Sequence, residues 1–255
     1  MLDYQPPYDW AALLRFVRPR AIPGLERVDA DSYHRCGVTV RRHPDGACLV
    51  AVNAAESIAS QIRFFFDLDA DPSPIAAHLA KSRLLKRIVG KHAGLRVPRC
   101  WDPFELAVRA MLGQQVTVKG ASTLAGRLVE RYGPPQAAIL ADADLAVIGL
   151  PKARAETIRS FARAVCNHRI RFDGAVSSQE MIGRMCELPG IGPWTANYIA
   201  MRALGDPDAF PASDLGLLKA ARASSPRKLD ELGERWRPWR SYAAMYLWES
   251  LHDDK

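Results

Sequence analysis

The most informative segment of this sequence is Leu188-Pro189-Gly190-Ile191-Gly192-Pro193-Trp194-Thr195-Ala196. It separates two predicted helices. Ser177 and Glu180 form a capping box, which starts the first helix. Pro193 takes the first position of the second helix, where a missing backbone N–H costs nothing. The segment 177–204 is therefore predicted to be a helix, a glycine-rich turn and a second helix.

The turn itself places two glycines around one apolar residue. Because Gly190 and Gly192 have no Cβ, the backbone there can approach a phosphate closely and point its N–H groups at it. The positive end of the second helix dipole adds to that attraction. Ile191 is expected to fill the gap between the two helices. A plain interhelical turn would use the same glycines, so the turn alone leaves both interpretations open.

The residues around the turn favour the phosphate-binding interpretation. Together they resemble the helix-hairpin-helix of the HhH-GPD superfamily of DNA glycosylases, in which a catalytic aspartate follows the hairpin. Here the sequence Phe210-Pro211-Ala212-Ser213-Asp214 follows, and Asp214 lies 22 residues after Gly192 (214 − 192), a spacing similar to that of the family. Within the superfamily the chain most resembles the AlkA type, at residues 5–10, 106–114 and 235–243.

Both the local patterns and this resemblance predict the fold class. Strand-like residues 38–40 and 49–52 flank the turn His43-Pro44-Asp45-Gly46, and strand signals end near Ile75. Helices are then predicted from Asp102-Pro103 to Gly113, over 118–132 and over 153–165. The resemblance implies a small antiparallel α/β sheet domain at 1–75. It also implies a mainly α region at 76–255, in which two helical lobes surround a cleft.

Asp214 is the candidate catalytic residue. Cleavage of an N-glycosidic bond builds positive charge on the sugar, and a preorganised carboxylate lowers the energy of that state. The same carboxylate can orient or deprotonate the attacking water, and the sequence does not separate the two roles. Ser213 or Asp214 could equally cap the helix that follows. Given the hairpin, we expect Asp214 to be catalytic and Ser213 to be the cap.

Four aromatic residues fall where the resembling family lines its base pocket: Phe16, Trp194, Tyr198 and Trp248. An N3-alkylated purine is cationic, so stacking on these rings would add a cation–π term to burial. Trp194 and Tyr198 are four residues apart on one predicted helix and share a face. A shared face serves a core as well as a pocket, so each ring could also be ordinary core packing.

The DNA contacts implied by the resemblance come from the hairpin and from a loop. Gly190, Ile191, Gly192 and Thr195 would contact the DNA backbone, and Gln114 and Gln115 would fill the space left by a flipped base. AlkA-type proteins usually carry an apolar residue at the position of Gln115, so the chain departs from its family here. A glutamine could instead hydrogen-bond the orphaned partner base. An ordinary polar loop tip is the alternative.

Trp194 also bears on the reaction type. Superfamily members that nick the strand carry a lysine two residues after the second hairpin glycine, and this chain carries Trp194 there. The resemblance therefore implies a monofunctional enzyme that releases an alkylated purine of the 3-methyladenine type and leaves an abasic site. Two alternatives stay open: the same fold acting on uracil, hypoxanthine or an oxidised base, and a non-catalytic DNA-binding module.

Composition agrees with a partner that is a polyanion. The net charge is +7 and the pI about 9.3, so damaged double-stranded DNA is the expected partner. The five cysteines form no C-x-x-C pair, and the last is Cys186, so neither a zinc site nor the family's C-terminal iron–sulfur cluster is expected. We expect no cofactor, although the resemblance implies that the hairpin carbonyls hold a monovalent cation when DNA is bound. Without a membrane span or signal segment, a monomeric, cytoplasmic, nucleoid-associated protein is expected.

Overall fold

The computed structural model describes residues 1–46 and 48–253. Its amino-terminal part contains five strands: β1 (Leu2–Asp3), β2 (Glu26–Val28), β3 (Ser32–Arg35), β4 (Val38–Arg42) and β5 (Cys48–Val52). They form an antiparallel sheet in the order β1-β5-β4-β3-β2. The predicted turn is confirmed, since it joins β4 to β5 and Gly46 has φ +71°.

Helices make up most of the rest, which confirms the mainly α prediction. The first helix, α1 (Trp10–Val17), lies between β1 and β2 in the sequence. The others are α2 (Ala59–Phe65), α3 (Pro72–Leu79), α4 (Lys86–Lys91), α5 (Pro103–Leu112), α6 (Val118–Tyr132), α7 (Ala137–Leu140), α8 (Lys152–Cys166), α9 (Ser178–Cys186), α10 (Pro193–Ile199), α11 (Leu215–Ala221), α12 (Pro226–Gly233) and α13 (Arg240–Asp253). No helix of the described residues is long and apolar enough to cross a membrane.

Local sequence signals fix the ends of the helices around the hairpin. The Asp102 side chain accepts from the backbone N–H of Glu105 at 2.7 Å and starts α5. The Ser177 hydroxyl accepts from the N–H of Glu180 at 3.2 Å and starts α9. The helix α6 ends at Gly133, as predicted, where φ is +73°. These three helix boundaries follow from side chains and glycines that are visible in the sequence.

The hairpin has the predicted helix, turn and helix, and its second helix has an irregular end. The turn between α9 and α10 is short, and Ile191 is only 4% exposed between them. After Ile199 the chain widens into a single π-helical turn, Ala200–Leu204. Such turns are rare and are often found at functional sites. Here the turn carries Arg202, which is buried.

The helices pack in two groups that leave a cleft between them. On one side α5 contacts α6 and α8, and α7 contacts α8. On the other side α11 contacts α12 and α13, and α13 contacts α4. The helix α10 lies between the groups, in contact with α5 and α9. This arrangement places the hairpin, the loop after α5 and the start of α11 around the same opening.

Candidate active site

A cavity of about 310 Å³ opens between the two groups of helices. A second cavity of about 460 Å³ adjoins it at the surface, where Gln115 and the exposed Leu215 lie on its rim. Both volumes fall in the range of small-molecule binding clefts. The inner cavity is lined by the side chains of Arg20, Arg109, Trp194, Tyr198, Asp214 and Trp248. Three of the four predicted pocket aromatics and the predicted catalytic residue therefore meet in one place.

The Asp214 carboxylate is held by three N–H donors. Trp194 Nε1 donates to Oδ2 at 3.0 Å, and Trp248 Nε1 donates to Oδ1 at 2.9 Å. The backbone N–H of Leu217 also donates to Oδ1, at 3.0 Å. A Cβ at Gly216 would lie 3.0 Å from Oδ1 and 3.3 Å from Trp248 Cδ1, so a glycine there lets the indole reach the carboxylate. These three bonds fix the direction of the carboxylate.

The expected division of labour between Ser213 and Asp214 is wrong. Asp214 is itself the N-cap of α11, and Ser213 is exposed and lies one residue before the cap. The carboxylate can do both because one oxygen accepts from the helix while the other faces Trp194 and the cavity. Capping and the candidate catalytic role are therefore compatible in one side chain.

The predicted aromatic residues form a continuous set of ring contacts. Trp194 and Tyr198 are stacked, with centroids 5.4 Å apart and planes at 9°. Tyr198 meets Trp248 edge-on at 6.3 Å, and Trp248 lies 5.9 Å from Phe16. Phe16 is only 7% exposed and packs behind Trp248. The guanidinium of Arg20 lies 3.8 Å from its ring centroid, so Phe16 supports the cavity wall from behind.

Three arginines converge below these rings, and the sequence analysis did not identify them. Arg20 follows α1, Arg109 lies on α5, and Arg202 lies on the π turn. Arg202 donates to the Tyr198 hydroxyl at 2.8 Å. Arg109 donates to the carbonyl of Arg20 and to Ser122. A signal was present, because Arg109 and Arg202 each sit in an otherwise apolar run that the structure buries.

The electrostatics of this arginine cluster are unusual. Burial lowers the pKa of Arg20, and it lowers that of Arg109 to about 10. Burial alone would raise the pKa of Tyr198, but the charges of Arg202, Arg20 and Arg109 outweigh it and lower this pKa to about 8. No carboxylate of the described residues forms an ion pair with any of the three guanidiniums. The base of the cavity is thus strongly cationic.

The two hairpin glycines have different environments. Gly190 has φ +82°, and a Cβ there would lie 2.0 Å from the Thr157 hydroxyl oxygen. Gly192 has an ordinary φ of −93°, is exposed, and has nothing within 4 Å of an added Cβ. The fold itself therefore requires Gly190. Only at Gly192 does the structure leave the open space that backbone contact with a phosphate needs.

Of the other predicted DNA contacts, some are bonded within the chain and one is exposed at a loop tip. Gln114 donates to the carbonyl of Gly190 at 2.9 Å and to the Thr195 hydroxyl at 3.0 Å. Thr195 is only 2% exposed, so this pair ties the loop after α5 to the hairpin. Gln115 is exposed at the loop tip and has a left-handed φ of +56°. Such backbone strain is concentrated at functional sites. Gln115 is thus exposed at the loop tip, whereas Gln114 is engaged within the chain.

The described residues contain no group of three or more His, Cys, Asp or Glu side chains that could hold a metal ion. Cys48 and Cys100 are buried, and the other three cysteines are exposed.

Two models of known protein families match the chain. The family model of the AlkA N-terminal domain matches residues 1–102. The model of the HhH-GPD superfamily base excision DNA repair proteins matches residues 108–232, which include the hairpin and Asp214. The chain belongs to the HhH-GPD superfamily of base excision DNA repair proteins, and its amino-terminal part is of the AlkA type.

Individual relatives narrow the comparison. The DNA-3-methyladenine glycosylase 2 of Escherichia coli K12 is 33% identical, over 97% of this chain and 95% of that protein. The probable bifunctional transcriptional activator/DNA repair enzyme AlkA of Mycobacterium tuberculosis is 39% identical over 98% of this chain. The match covers 56% of that protein, so the chain spans about half the length of these relatives.

Solved structures confirm the fold and do not separate the lesions. The 3-methyladenine DNA-glycosylase of Archaeoglobus fulgidus has a TM-score of 0.81 at 20% identity, covering 97% of this chain and 96% of that one. An 8-oxoguanine glycosylase/lyase of Clostridium acetobutylicum also has a TM-score of 0.81 at 20% identity, covering 97% and 92%. Proteins named for different lesions are thus equally similar in fold, and the residues of the cavity must decide the function.

Proposed function

We propose that this protein is a monofunctional DNA glycosylase that flips a damaged base out of double-stranded DNA and releases it by hydrolysis. The observation that carries the proposal is the Asp214 carboxylate, fixed by two indoles and a backbone N–H beside an aromatic cavity. A carboxylate held in this way needs no reorganisation when positive charge develops on the sugar. Its stabilisation of that charge is therefore large.

DNA would be held at the hairpin and at the loop after α5. Gly192 lies open at the start of α10 and can point its backbone at a phosphate. Gln115 stands on the rim of the outer cavity and would occupy the place of the flipped nucleotide. The turn also presents backbone carbonyls, which are hard donors that suit a monovalent cation. Such a cation, bound together with DNA, would neutralise a phosphate at the same turn.

Strand cleavage is not expected, because the cavity offers no amine. Trp194 lines it, and an indole nitrogen can only donate a hydrogen bond. Lys219 lies on α11 and is exposed. No lysine is among the described residues that line either cavity. Water positioned near Asp214 is therefore the proposed nucleophile, and an intact abasic site is the proposed product.

Alkylated purines are the proposed substrates. Stacked Trp194 and Tyr198 and the nearby Trp248 offer rings that gain from a cationic, electron-poor base. The relative named DNA-3-methyladenine glycosylase 2 supports the same class. An oxidised base such as 8-oxoguanine, processed by a glycosylase/lyase, is disfavoured by the absence of a lysine from the described cavity lining.

The test is to incubate the protein with methylated duplex DNA and to separate the released bases by chromatography. We expect 3-methyladenine in the supernatant, and product strands that break only after alkali treatment. Borohydride should trap no protein–DNA adduct above the level given by Asp214→Asn. A trapped adduct would contradict the monofunctional assignment. Release of uracil or of an oxidised base, without release of alkylated purines, would contradict the substrate class.

A further inference from the structure

A cationic substrate presents an electrostatic problem in this cavity. Arg20 and Arg109 line it directly, and Arg202 lies just below Tyr198. Positive charges on the base and on the arginines would repel each other strongly in a site from which water is removed. Ring stacking alone would have to overcome three guanidiniums, and Asp214 supplies a single negative charge on the sugar side. A second negative charge on the base side would resolve the problem.

We propose that Tyr198 serves as that second charge: it binds the base as a phenolate held by Arg202 and sets the preference of the cavity for cationic over neutral bases. This inference rests on the proposed function and deepens it, because it names the group that selects the charge of the substrate. The stacked Trp194 ring would carry the base, and the phenolate would lie behind it.

The hydrogen bonding of Tyr198 supports this role. Arginine can only donate, so the Tyr198 oxygen is the acceptor in its 2.8 Å bond to Arg202. Among the described residues no acceptor receives the Tyr198 hydroxyl proton. Five of the seven tyrosines of the chain do donate to an oxygen, namely Tyr4, Tyr8, Tyr33, Tyr132 and Tyr242. Tyr198 is thus bonded in the way that suits a phenolate.

The charges that face Tyr198 come from several elements. Arg20 and Arg109 approach from the turn after α1 and from α5, and Arg202 from the π turn on its own side. Asp214 at the start of α11 is the negative group of the cavity, and it acts on Arg20. Trp248 of α13 contributes an uncharged edge. The positive charges outnumber the negative ones, so ionisation of Tyr198 is favoured, in agreement with its lowered pKa.

The effect on substrates follows from linkage. A bound cationic base stabilises the phenolate, and the phenolate equally stabilises the cationic base. The folded-state pKa is about 8, below the ordinary value of 10.0. Preference for a cationic base should therefore be weak below pH 7, rise through pH 8, and level off above pH 9. A neutral base such as hypoxanthine gains nothing from the same ionisation.

The first measurement follows tyrosinate formation by ultraviolet absorbance in the DNA-free protein. The wild type should form one tyrosinate with a midpoint near pH 8, and Tyr198→Phe should lack it. Tyr246→Phe is the matched control, because Tyr246 is buried and burial raises its pKa to about 12. In Arg20→Gln, which keeps Tyr198, the midpoint should move to higher pH. Absence of a wild-type tyrosinate below pH 9.5 would overturn the inference.

The second measurement compares single-turnover excision of 3-methyladenine, whose nucleoside stays cationic over this range, and of hypoxanthine between pH 6.5 and 9.5. The ratio of the two rates in the wild type, divided by the same ratio in Tyr198→Phe, removes effects common to both proteins. We expect this quotient to rise about tenfold, as one unit of pKa linkage gives, and Tyr246→Phe to behave as the wild type. A flat quotient would overturn the inference while the proposed function stands. If the protein released neither base, the proposed function would be overturned, and the specificity role of Tyr198 with it.

Discussion

Two groups of arginines lie close together in this protein, and carboxylates pair with only one of the two groups. Beside the sheet, Arg35 forms a two-pronged ion pair with Glu105 at 2.8 Å, and Arg99 pairs with Asp67 at 3.3 Å. Around the cavity, Arg20, Arg109 and Arg202 form no such pair with any carboxylate that the structure describes. A small void of about 30 Å³ is lined by residues of both groups.

This difference distinguishes residues that stabilise the fold, the scaffold, from residues that form the candidate site. A buried charge without an ionic partner costs free energy, and a chain retains it where a ligand or a reaction benefits. The Arg35 pair attaches the sheet to α5, whereas two of the unpaired arginines line the cavity that a base would enter. The hairpin and the loop after α5 show a similar contrast. Gly190 and Gln114 are engaged within the chain, whereas Gly192 and Gln115 are open to solvent. A substitution at one member of each contrast tests whether that residue serves the scaffold or the site.

The largest effect is expected from Asp214→Asn on the side of the site. Base release should fall by about 1,000-fold, because a fixed negative charge facing the sugar is lost. Stability should change little, because asparagine caps a helix about as well as aspartate. Single-turnover excision and binding of abasic DNA are the measurements. Asp71→Asn, another helix cap, is exposed and remote, and it should excise normally. Near-normal excision by Asp214→Asn would leave Asp214 with its capping role alone.

Glu105→Gln tests the scaffold side of the comparison. It leaves the charge of Arg35 buried without its main partner, so the free energy of unfolding should fall by about 3 kcal/mol or more. Urea denaturation measures this. The matched control is Glu234→Gln, whose ion pairs with Arg237 and Arg240 lie at the surface and should contribute less than about 1 kcal/mol. Equal losses in the two variants would remove the distinction between scaffold and surface pairs.

The hairpin glycines should separate stability from DNA binding. Gly190→Ala should destabilise the protein by about 1–3 kcal/mol, because alanine is strained at φ +82° and meets Thr157. Gly192→Val should cost no more than about 1 kcal/mol, because valine is a poorer N-cap of α10 than glycine. It should weaken binding of damaged and undamaged DNA alike, by roughly tenfold, since phosphate contacts carry no sequence information. Gly183→Val, at an open position on α9, is the control. Loss confined to damaged DNA would contradict the phosphate assignment at Gly192.

The smallest effect is expected at the loop after α5. Gln115→Ala should slow excision from duplex DNA by roughly threefold to tenfold and leave single-stranded substrates nearly unaffected, because only the duplex must be unstacked. Gln114→Ala should affect both substrates similarly, since Gln114 holds the loop to the hairpin. Gln179→Ala, exposed on α9, is the control. If Gln115→Ala slowed both substrates equally, a wedge role would be excluded.

Local signals in the sequence were enough for much of the fold. The capping box at Ser177, the Asp102-Pro103 start and the glycine ends predicted their helices, because each acts within one helical turn. The hairpin and Asp214 followed from motif and spacing. The choice between Ser213 and Asp214 as cap failed, because both residue types cap well and the positions differ by one residue. Backbone geometry alone decides between them.

The arginine cluster shows what local patterns do not contain. Arg20, Arg109 and Arg202 are about ninety residues apart from one to the next, so no local stretch of sequence contains more than one of them. Their convergence depends on how α1, α5 and α10 pack. The charge environment of Tyr198 was therefore not available from the spacing that correctly placed its ring beside Trp194.

The bonds that orient Asp214 also make the site optically sensitive. Indole emission responds to hydrogen bonding at Nε1 and to nearby charge, and the two indoles that hold the carboxylate both line the cavity. A base entering between them would alter their surroundings directly. Fully buried Trp236, packed against Phe210, would be a constant background. Stopped-flow fluorescence of the unlabelled protein should therefore time the arrival of a nucleotide separately from the cleavage of its glycosidic bond.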